Sequence, residues 1–573
     1  MNFAHLLIVV IAAIAITVFA ERRNIQPPLL IALVGLAASF IPGVPRLELE
    51  PEIILTVVLP PLLFSAATEF SFPSFLRRLG SIVNLGVFLV IVTTVVVGTV
   101  AFWIVPYLSL PASMVLAAVL SPTDAVTAVA VGRRLGLPTR VMTVLKGESL
   151  INDAAALTLF SLTATMITGF ALPIHNIFVY FAYNVVVGII VGVVLGALVH
   201  QIRLRLTNPS LTTVINVLVP FAAYMLAEEL GASGVLAVVA AGFSLGHNSP
   251  ATGSASRIQE RQFWSTLDAL LEAFVFAYIG LQLRFVLVDA ESAGFEIGGL
   301  LQVSVLILAA VIVVRIAWVF LTAGIRNFTE PARRRASARR IKQIAERARL
   351  REQRSARHPN RSRNDKRRRR RQGADAPEPF PWRENLIIAW TGMRGVVTLA
   401  AATGVPLIAA GGDIFPWRSA IIAIASIVTL GTLLVQGLTL PWLIDRLDVS
   451  DPGEEKHRLA HLEKARKLSR QAAVAEVASF RDEQADAEAR TAAQAFLDRV
   501  SGESAEARPP WAGRDGKLFI DLGRRVLNAR REALIKARDA EELDDEIMRE
   551  VLEQLDREQA VADNWNPDNY RQF

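Results

Sequence analysis

Two segments of the sequence place carboxylates, hydroxyls and a carboxamide among apolar residues. They read SPTDAVTAVAVGRR and KGESLINDAAALTLF, and a short turn separates them. In the second segment Ser149 and Asp153 are four residues apart and share one face of a helix. With Thr123 and Asp124 of the first segment they offer only oxygen atoms, the ligands that hard cations such as sodium and lithium prefer. The sequence therefore predicts a cation site around Asp153.

A proton can take the place of the cation at this site. Burial away from water favours the protonated carboxyl group of Asp153, whereas a bound cation favours the ionised form. Proton and cation therefore compete, and a site that opens alternately to each side of a membrane converts competition into exchange. Asn152 is a neutral amide that carries no second proton, so the pair predicts one cation per proton and no net charge movement. A structural polar network between packed helices is the alternative interpretation.

The composition of the chain indicates a membrane protein. Of its 573 residues 52% are hydrophobic and 20% are charged, and the charged ones are concentrated in residues 326–383 and after Asp445. This uneven distribution excludes an ordinary cytosolic enzyme and indicates a polytopic membrane protein. Because the chain has no cysteine, disulfides, thiolate zinc sites, iron–sulfur clusters and cysteine nucleophiles are excluded.

Thirteen apolar stretches are long enough to cross a bilayer. They lie near residues 3–20, 27–43, 51–68, 79–105, 111–133, 139–169, 174–201, 211–230, 233–247, 262–288, 297–325, 384–410 and 418–444. Arginines occur mainly in the odd-numbered connections, so the positive-inside rule places the N-terminus outside and the C-terminal tail in the cytoplasm. Thirteen spans fit an all-α fold of two inverted repeats of six helices joined by one linking helix, an architecture of transporters.

Inverted-repeat transporters bind their ions where membrane helices are broken. Pro122 lies in the middle of the fifth span and has no N–H to donate to the carbonyl of Ala118. Gly404 and Pro406 interrupt the twelfth span, which is the fifth of the second repeat. We therefore expect helices 5 and 12 to be broken at equivalent positions, although a proline kink without function is the alternative for each.

Five motifs resemble those of one family, the sodium/proton exchangers of the NHE and NhaP type in the electroneutral branch of the cation/proton antiporter superfamily. The motifs are GESLINDAAALTLF, SPTDAV, LPPLLFSAA, GMRGVVTLA and LLVQGLTLPWLI, and they occur in the family's order from about Ile25 to Leu447. The resemblance implies a thirteen-helix antiporter that forms a homodimer. In such a fold a mobile core domain moves against a dimer domain, and broken helices 5 and 12 cross.

The resemblance also implies roles for the residues of the site. Asp153 would be the essential carboxylate for cation and proton, with Asn152 as its partner. Three further residues would complete the sodium site: Thr123, Asp124 and Ser149.

The same resemblance implies structural roles for three residues, and at one position the sequence differs from the family. Glu148 would pair with Arg315 on the eleventh span, and Arg394 would support the twelfth. Ser65 stands where many members of the family have glutamate. Glu69, one helical turn later, could offer a carboxylate to the cation from the same face, with a water-facing carboxylate at the helix end as the alternative.

Other ionisable residues inside spans receive less specific roles. Asp268 and Glu272 stand one turn apart in the tenth span. We expect them to be structural, with a place in a cytoplasmic funnel as the alternative. Lys146, near the inner end of the sixth span, is expected to extend its amine towards the membrane surface.

The charged segments predict a division of the chain. We expect a transmembrane antiporter domain at residues 1–446, an arginine-rich cytoplasmic insertion at residues 326–383 between helices 11 and 12, and a cytoplasmic helical regulatory tail at residues 447–573. The insertion is expected to contact anionic lipid headgroups, with a solvated segment as the alternative. It has no interleaved aromatic residues, so we do not expect nucleic acid as a partner.

Together these features predict a secondary active antiporter that exchanges Na+ or Li+ for H+ across the plasma membrane, a bacterial inner membrane, with no cofactor and no enzymatic activity. A K+/H+ antiporter is an alternative, as is a cation channel, which would pass current without counter-moving protons. An intramembrane aspartic protease could use Asp124 and Asp153 as acid and base, but the chain lacks the GxGD motif.

Overall fold

The structure, a computed structural model, covers most of the chain. It describes residues 3–23, 25–42, 44, 51–105, 108–169, 176–206, 208–355, 379–409, 414–449, 452–484, 490–491, 493–494, 497 and 516–564. Within these ranges the regular elements are helices, and the only β-bridge is an isolated pair between Ile408 and Ile414.

The helices follow one another through short connections. The first nine are α1 (Phe3–Arg22), α2 (Pro27–Ser39), α3 (Ile54–Glu69), α4 (Phe72–Ile104), α5 (Leu110–Val119), α6 (Val126–Arg134), α7 (Thr139–Thr168), α8 (Ile177–Arg203) and α9 (Pro209–Glu229). The others are α10 (Gly234–Asn248), α11 (Ser254–Ser292), α12 (Ile297–Ser355), α13 (Trp382–Trp390), α14 (Val396–Thr403), α15 (Arg418–Leu447), α16 (Pro452–Glu483), α17 (Gly516–Asp539) and α18 (Asp545–Asn564).

Seven helices in the described part of the chain are long and apolar enough to cross a membrane. They are Phe72–Ile104, Thr139–Thr168, Val179–Arg203, Pro209–Glu229, Ser254–Ser292, Ile297–Phe328 and Arg418–Leu447. This confirms a helical polytopic membrane fold. The count of thirteen and the inverted repeat stay predictions.

Burial within the protein differs strongly between these helices. In the most apolar 18-residue stretch of α15, 72% is buried inside the protein, whereas in that of α8 only 22% is buried. The exposed side chains of α8 include Val186, Ile190 and Val193. A helix that is apolar on all sides and exposed to this extent requires an apolar surrounding, so α8 lies at the outer surface of the helix bundle and α15 lies inside it.

The fifth predicted span is interrupted where Pro122 predicts a break. Helix α5 ends at Val119 and α6 begins at Val126. The chain between them is not helical over residues 121–125.

The twelfth predicted span is also interrupted, but not at the predicted position. Its break lies at residues 391–395, between α13 and α14. The prediction of a break at Gly404 and Pro406 was wrong. Gly404 instead ends α14, where its N–H donates to the carbonyl of Ala400 at 3.0 Å. The break at 391–395 contains no proline, and side chains from other helices bind the backbone groups that it leaves free.

The tail helices α16, α17 and α18 pack around a core of their own. Leu534, Met548 and Leu555 are buried in it. The predicted domain boundaries stay predictions. Helix α12 continues into the arginine-rich insertion as far as Ser355, and residues 356–378 of that insertion lie outside the described residues.

Candidate ion-binding site

A cavity of about 340 Å³ lies beside the two helix breaks. Five carboxylates and two basic side chains line it, so the lining carries more acidic than basic groups and attracts cations. These charged residues are Glu69, Asp124, Asp153, Asp268, Glu272, Arg133 and Lys146. Neutral oxygen atoms come from Ser65, Thr123, Ser149 and Thr398. The structure thus places at one cavity five of the six residues predicted to bind cation or proton, and Asn152 lies next to Asp153 on α7.

Asp153 is the most enclosed of these predicted carboxylates, with 6% of its surface exposed. It forms no hydrogen bond and no ion pair with any residue in the described ranges. Asp124 lies at the start of α6, where its Oδ1 accepts a hydrogen bond of 2.8 Å from the N–H of Val126. A carboxylate at a helix N-terminus is stabilised by the free N–H groups there. Asp124 is therefore held in place, whereas Asp153 keeps both oxygens available to a ligand.

Asn152 binds the unwound segment of the fifth span. Its Nδ2 donates to the backbone oxygen and to Oγ1 of Thr123, both at 2.7 Å. Thr123 Oγ1 in turn donates to Glu148 Oε1 at 2.9 Å. A carbonyl oxygen has two lone pairs, so the oxygen of Thr123 can still bind a cation. Asn152 thereby fixes a freed carbonyl next to Asp153.

Glu148 and Arg315 form an ion pair between α7 and α12, and both side chains are buried. Arg315 Nη1 contacts Glu148 Oε1, and Nη2 donates to Oε2 at 3.0 Å. Arg315 Nη2 also donates to the carbonyl of Ile388 at 2.9 Å, in the last turn of α13. The guanidinium therefore replaces a helical hydrogen bond that the break removes.

Arg394 likewise binds a carbonyl that the break leaves free at the end of α5. Its Nε donates to the carbonyl of Leu120 at 2.9 Å, and its Nη1 donates to the carbonyl of Gly392 at 2.6 Å. The guanidinium is fully buried. Since the C-terminal end of a helix carries partial negative charge, a buried arginine at each of the two interrupted C-terminal ends stabilises both breaks.

The two breaks touch at Gly395. The N–H of Asp124 donates to the carbonyl of Met393 at 2.7 Å. A Cβ atom on Gly395 would overlap Asp124 Oδ2 and would lie 2.7 Å from Asp124 Cβ. Only glycine allows so close an approach.

We therefore predict that Gly395→Ala displaces Asp124 and weakens both the fold and transport. Overpacking of this kind costs about 1 to 3 kcal/mol. The melting temperature of the purified protein and its cation-driven proton flux should both fall. Gly80→Ala is the matched control, because no atom lies within 4 Å of a Cβ there. Equal behaviour of the two variants would contradict the assigned contact.

Residues with a less specific predicted role, or with none, also line the cavity. Asp268 and Glu272 of α11 line it, although a structural role was expected. Asp268 accepts a hydrogen bond of 2.5 Å from Ser65 Oγ on α3. Glu69 lines the same cavity with an exposed side chain. Thr398 was missed, since one threonine in an apolar helix gives no signal. Asp268 and Glu272 could have been assigned to the site from the sequence, because an ionised group inside a membrane span has a high free energy and indicates a function.

The C-terminal helix lies against the membrane helices near this cavity. Arg257 of α11 donates from Nε to Asp556 Oδ2 at 2.8 Å in a buried ion pair. Arg549 donates from Nη1 to the carbonyl of Thr68 at 3.0 Å, and Thr68 adjoins Glu69 of the cavity lining. Helix α18 therefore packs beside the cavity and contacts the end of α3.

Docking of α18 should depend on pH through Glu546. Burial against the membrane helices raises the pKa of Glu546, and Asp544 and Asp545 raise it further, while Lys146 and Arg77 oppose the shift. A carboxyl group with a raised pKa in the docked state binds its proton more tightly there than when released. Docking is therefore favoured at low pH and weakens as the pH rises through the docked pKa.

This prediction can be measured with two spin labels, because the chain has no native cysteine. Labels at Gln262→Cys and Gln554→Cys should be close at low pH and separate as the pH rises. Glu546→Gln should remove the pH dependence, whereas Glu550→Gln, an exposed position on the same helix, should keep it. A pH dependence that persists in Glu546→Gln would show that another group controls docking.

Comparison with known proteins identifies the family to which this fold and this site belong. Residues 8–446 match the family model described as "Sodium/hydrogen exchanger, transmembrane". The chain belongs to the sodium/hydrogen exchanger family. This exchanger is 31% identical over 572 residues to an uncharacterized Na+/H+ exchanger of Mycobacterium tuberculosis, covering 96% of this chain and 95% of that one.

Other relatives of the exchanger are named for different cations. It is 27% identical to the Na+/H+ antiporter ApNhaP of Aphanothece halophytica, covering 78% of this chain and 75% of that one. It is 28% identical to the sodium, potassium, lithium and rubidium/H+ antiporter of Bacillus pumilus, covering 78% of this chain and 62% of that one. The family is thus one of ion transporters.

A solved structure shares the fold. The sodium proton antiporter MjNhaP1 from Methanocaldococcus jannaschii matches with a TM-score of 0.56 at 18% identity, covering 78% of this chain and 98% of that one. The helical antiporter fold that the sequence motifs imply is therefore confirmed for the exchanger. Among its described residues, no three His, Cys, Asp or Glu side chains are grouped to hold a metal ion.

Proposed function

We propose that this exchanger is a secondary active antiporter that moves Na+ or Li+ against H+, one for one, with both ions competing for Asp153. The state of Asp153 is the observation that carries this proposal. It lines the cavity and has no partner in the described ranges, whereas Glu148 on the same helix is neutralised by Arg315. An unpaired buried carboxylate needs either a proton or a cation, and the cavity gives both a route to it.

The arrangement of the other predicted ligands supports this proposal. Ser149 and Asp153 share a face of α7, and Thr123 and Asp124 come from the break of the fifth span. Asn152 is bonded to that break and titrates no proton. The site therefore has the oxygen ligands for an alkali cation, and in Asp153 a carboxylate that can exchange the cation for a proton. This supports electroneutral exchange.

A K+/H+ antiporter is the second candidate. The observation in its favour is the name of the Bacillus pumilus relative, which includes potassium and rubidium beside sodium and lithium. The ligand set of the exchanger is the same for every alkali cation, because all of them bind oxygen. Selectivity therefore has to be measured with each cation in turn.

The remaining features of the proposal concern assembly and placement. We infer that the exchanger forms a homodimer in the bilayer of a bacterial inner membrane, with its N-terminus outside and its C-terminus in the cytoplasm. Residues 1–446 act as the transport domain and residues 447–573 as a regulatory tail, which the contacts of α18 support. The insertion at residues 326–383 binds anionic lipid through its arginines.

Proton flux in everted membrane vesicles tests this function. The vesicles are acidified by respiration and the pH gradient is followed with a fluorescent amine. Addition of Na+ or Li+ should dissipate the gradient in vesicles that contain the exchanger. Clamping the membrane potential with valinomycin and K+ should leave the rate unchanged if exchange is electroneutral. A cation current without proton movement would instead identify a channel.

A further inference from the structure

Asp268 connects two helices at the wall of the ion cavity. Its Oδ2 accepts a hydrogen bond of 2.5 Å from Ser65 Oγ, and Ser65 is itself buried. Its Oδ1 is buried too, but has no hydrogen-bond partner among the described residues. One oxygen of this carboxylate is therefore fixed and the other is free to bind a ligand.

The five carboxylates that line the cavity interact electrostatically in successive pairs. Glu69 interacts with Asp268, Asp268 with Glu272, Glu272 with Asp124, and Asp124 with Asp153. The series begins at Glu69, which is exposed, and ends at Asp153, which is buried. Asp268 is the second member and the first whose side chain is fixed by a hydrogen bond from a buried neighbour.

A second buried polar group lines the same cavity without a hydrogen-bond partner among the described residues. Thr398 of α14 lines the same cavity and is only 1% exposed. Its Oγ1 is buried without a hydrogen-bond partner in the described part of the chain. A buried hydroxyl without a partner is unfavourable, so Thr398 Oγ1 is suited to bind an ion, or a water of its hydration shell, in this cavity.

We propose that Asp268, together with Ser65 Oγ, is a second cation-binding carboxylate on the route to Asp153. It takes an alkali cation that enters past Glu69, holds it through Asp268 Oδ1 and the hydroxyl oxygen of Ser65, and delivers it to Asp153. This inference rests on the proposed antiport function and deepens it. Glu69, the carboxylate that the sequence assigned to the site, acts at the entrance, and Asp268 acts inside.

The geometry also distinguishes cation binding by Asp268 from a purely structural hydrogen bond between α3 and α11. If Asp268 only joined α3 to α11, its hydrogen bond from Ser65 to Oδ2 would be sufficient. The buried Oδ1, without a hydrogen-bond partner among the described residues, would then have no function. A side chain that only accepts a hydrogen bond from the neighbouring helix needs no charge, since asparagine also accepts one. A carboxylate that binds cations needs its charge. The two roles therefore predict opposite results for a neutral isostere.

Initial rates of exchange against Na+ concentration in everted vesicles test the proposal with Asp268→Asn. The KM for Na+ should rise about tenfold, while kcat falls by less than about twofold. Glu291→Gln, which neutralises an exposed carboxylate on the same helix α11, should leave both constants unchanged. In the double variant Ser65→Asp with Asp268→Asn the carboxylate stands at position 65 and the neutral amide at position 268, so the pair again carries one negative charge. This double variant should recover most of the lost affinity, which a merely structural role would not do.

Each result decides the question. An Asp268→Asn exchanger with the wild-type KM would overturn the proposal, as would a double variant no better than the single one. If Asp268→Asn reaches the membrane in low amounts, purified protein in detergent gives the same comparison, through the rise in melting temperature on addition of Na+. Absence of cation-driven flux in the wild type would contradict the proposed function instead. An unchanged Na+-induced melting shift in Asp268→Asn would then overturn this inference separately.

Discussion

Asp153→Asn is expected to lower Na+-driven proton flux by at least about a hundredfold, because an amide neither carries the exchanged proton nor neutralises the cation. The same change should not unfold the protein. Asp153 has no partner to lose in the described ranges, and a neutral group of the same shape is easier to bury than an ionised carboxylate. We therefore expect a melting temperature equal to or above that of the wild type. Flux in everted vesicles and thermal unfolding of the purified exchanger measure the two effects.

The combination of lost transport and retained stability is the informative result. Glu229→Gln, at the exposed end of α9, is a control that should change neither quantity. Transport that survives in Asp153→Asn would assign the exchange reaction to another carboxylate of the cavity, first of all to Asp124, which interacts electrostatically with Asp153. Loss of transport together with loss of stability would indicate a structural role for Asp153.

The local part of this site could be predicted from the sequence because helical spacing determines it. Ser149 and Asp153 must share a face of α7 once that segment is helical, and Pro122 must remove a hydrogen bond from its span. The positions of both features follow from neighbours in the chain. The apolar stretches likewise predicted the membrane helices, since burial in lipid requires them.

The position of the second break could not be predicted in this way. Gly404 and Pro406 are the local signals of a helix end, but the break lies at residues 391–395. It is stabilised by Arg315 from α12 and by contact with the first break at Asp124. Such contacts come from residues that are far away in the sequence, and no local pattern contains them.

The same limit applies to Asp268 and to the tail. A carboxylate in a span indicates a function or a partner, but the sequence does not say which helix faces it. Ser65 lies 203 positions away from Asp268. The docking of α18 involves Arg257, one of the arginines in the connections that the positive-inside rule assigns to the cytoplasm. Its buried contact with Asp556 became visible only in the folded chain.

Removing one half of the Glu148 and Arg315 ion pair is expected to destabilise the exchanger by about 3 to 5 kcal/mol. Arg315→Leu leaves the buried carboxylate of Glu148 unpaired and removes the donor to the carbonyl of Ile388. Glu148→Gln leaves the guanidinium buried without its counter-charge and keeps an acceptor for Thr123. Unfolding of the purified protein in detergent, monitored against temperature, gives the size of each loss.

A double-mutant cycle separates the pair from its surroundings. The double variant Glu148→Gln with Arg315→Leu should lose less stability than the sum of the two single losses, because no buried charge is left uncompensated. The exposed pair Arg458 and Glu550 is the matched control, and its loss should cost less than about 1 kcal/mol. Additive losses for the buried pair would mean that Arg315 stabilises the break through Ile388 alone. The ion pair would then contribute charge balance near Asp153 and not cohesion between α7 and α12.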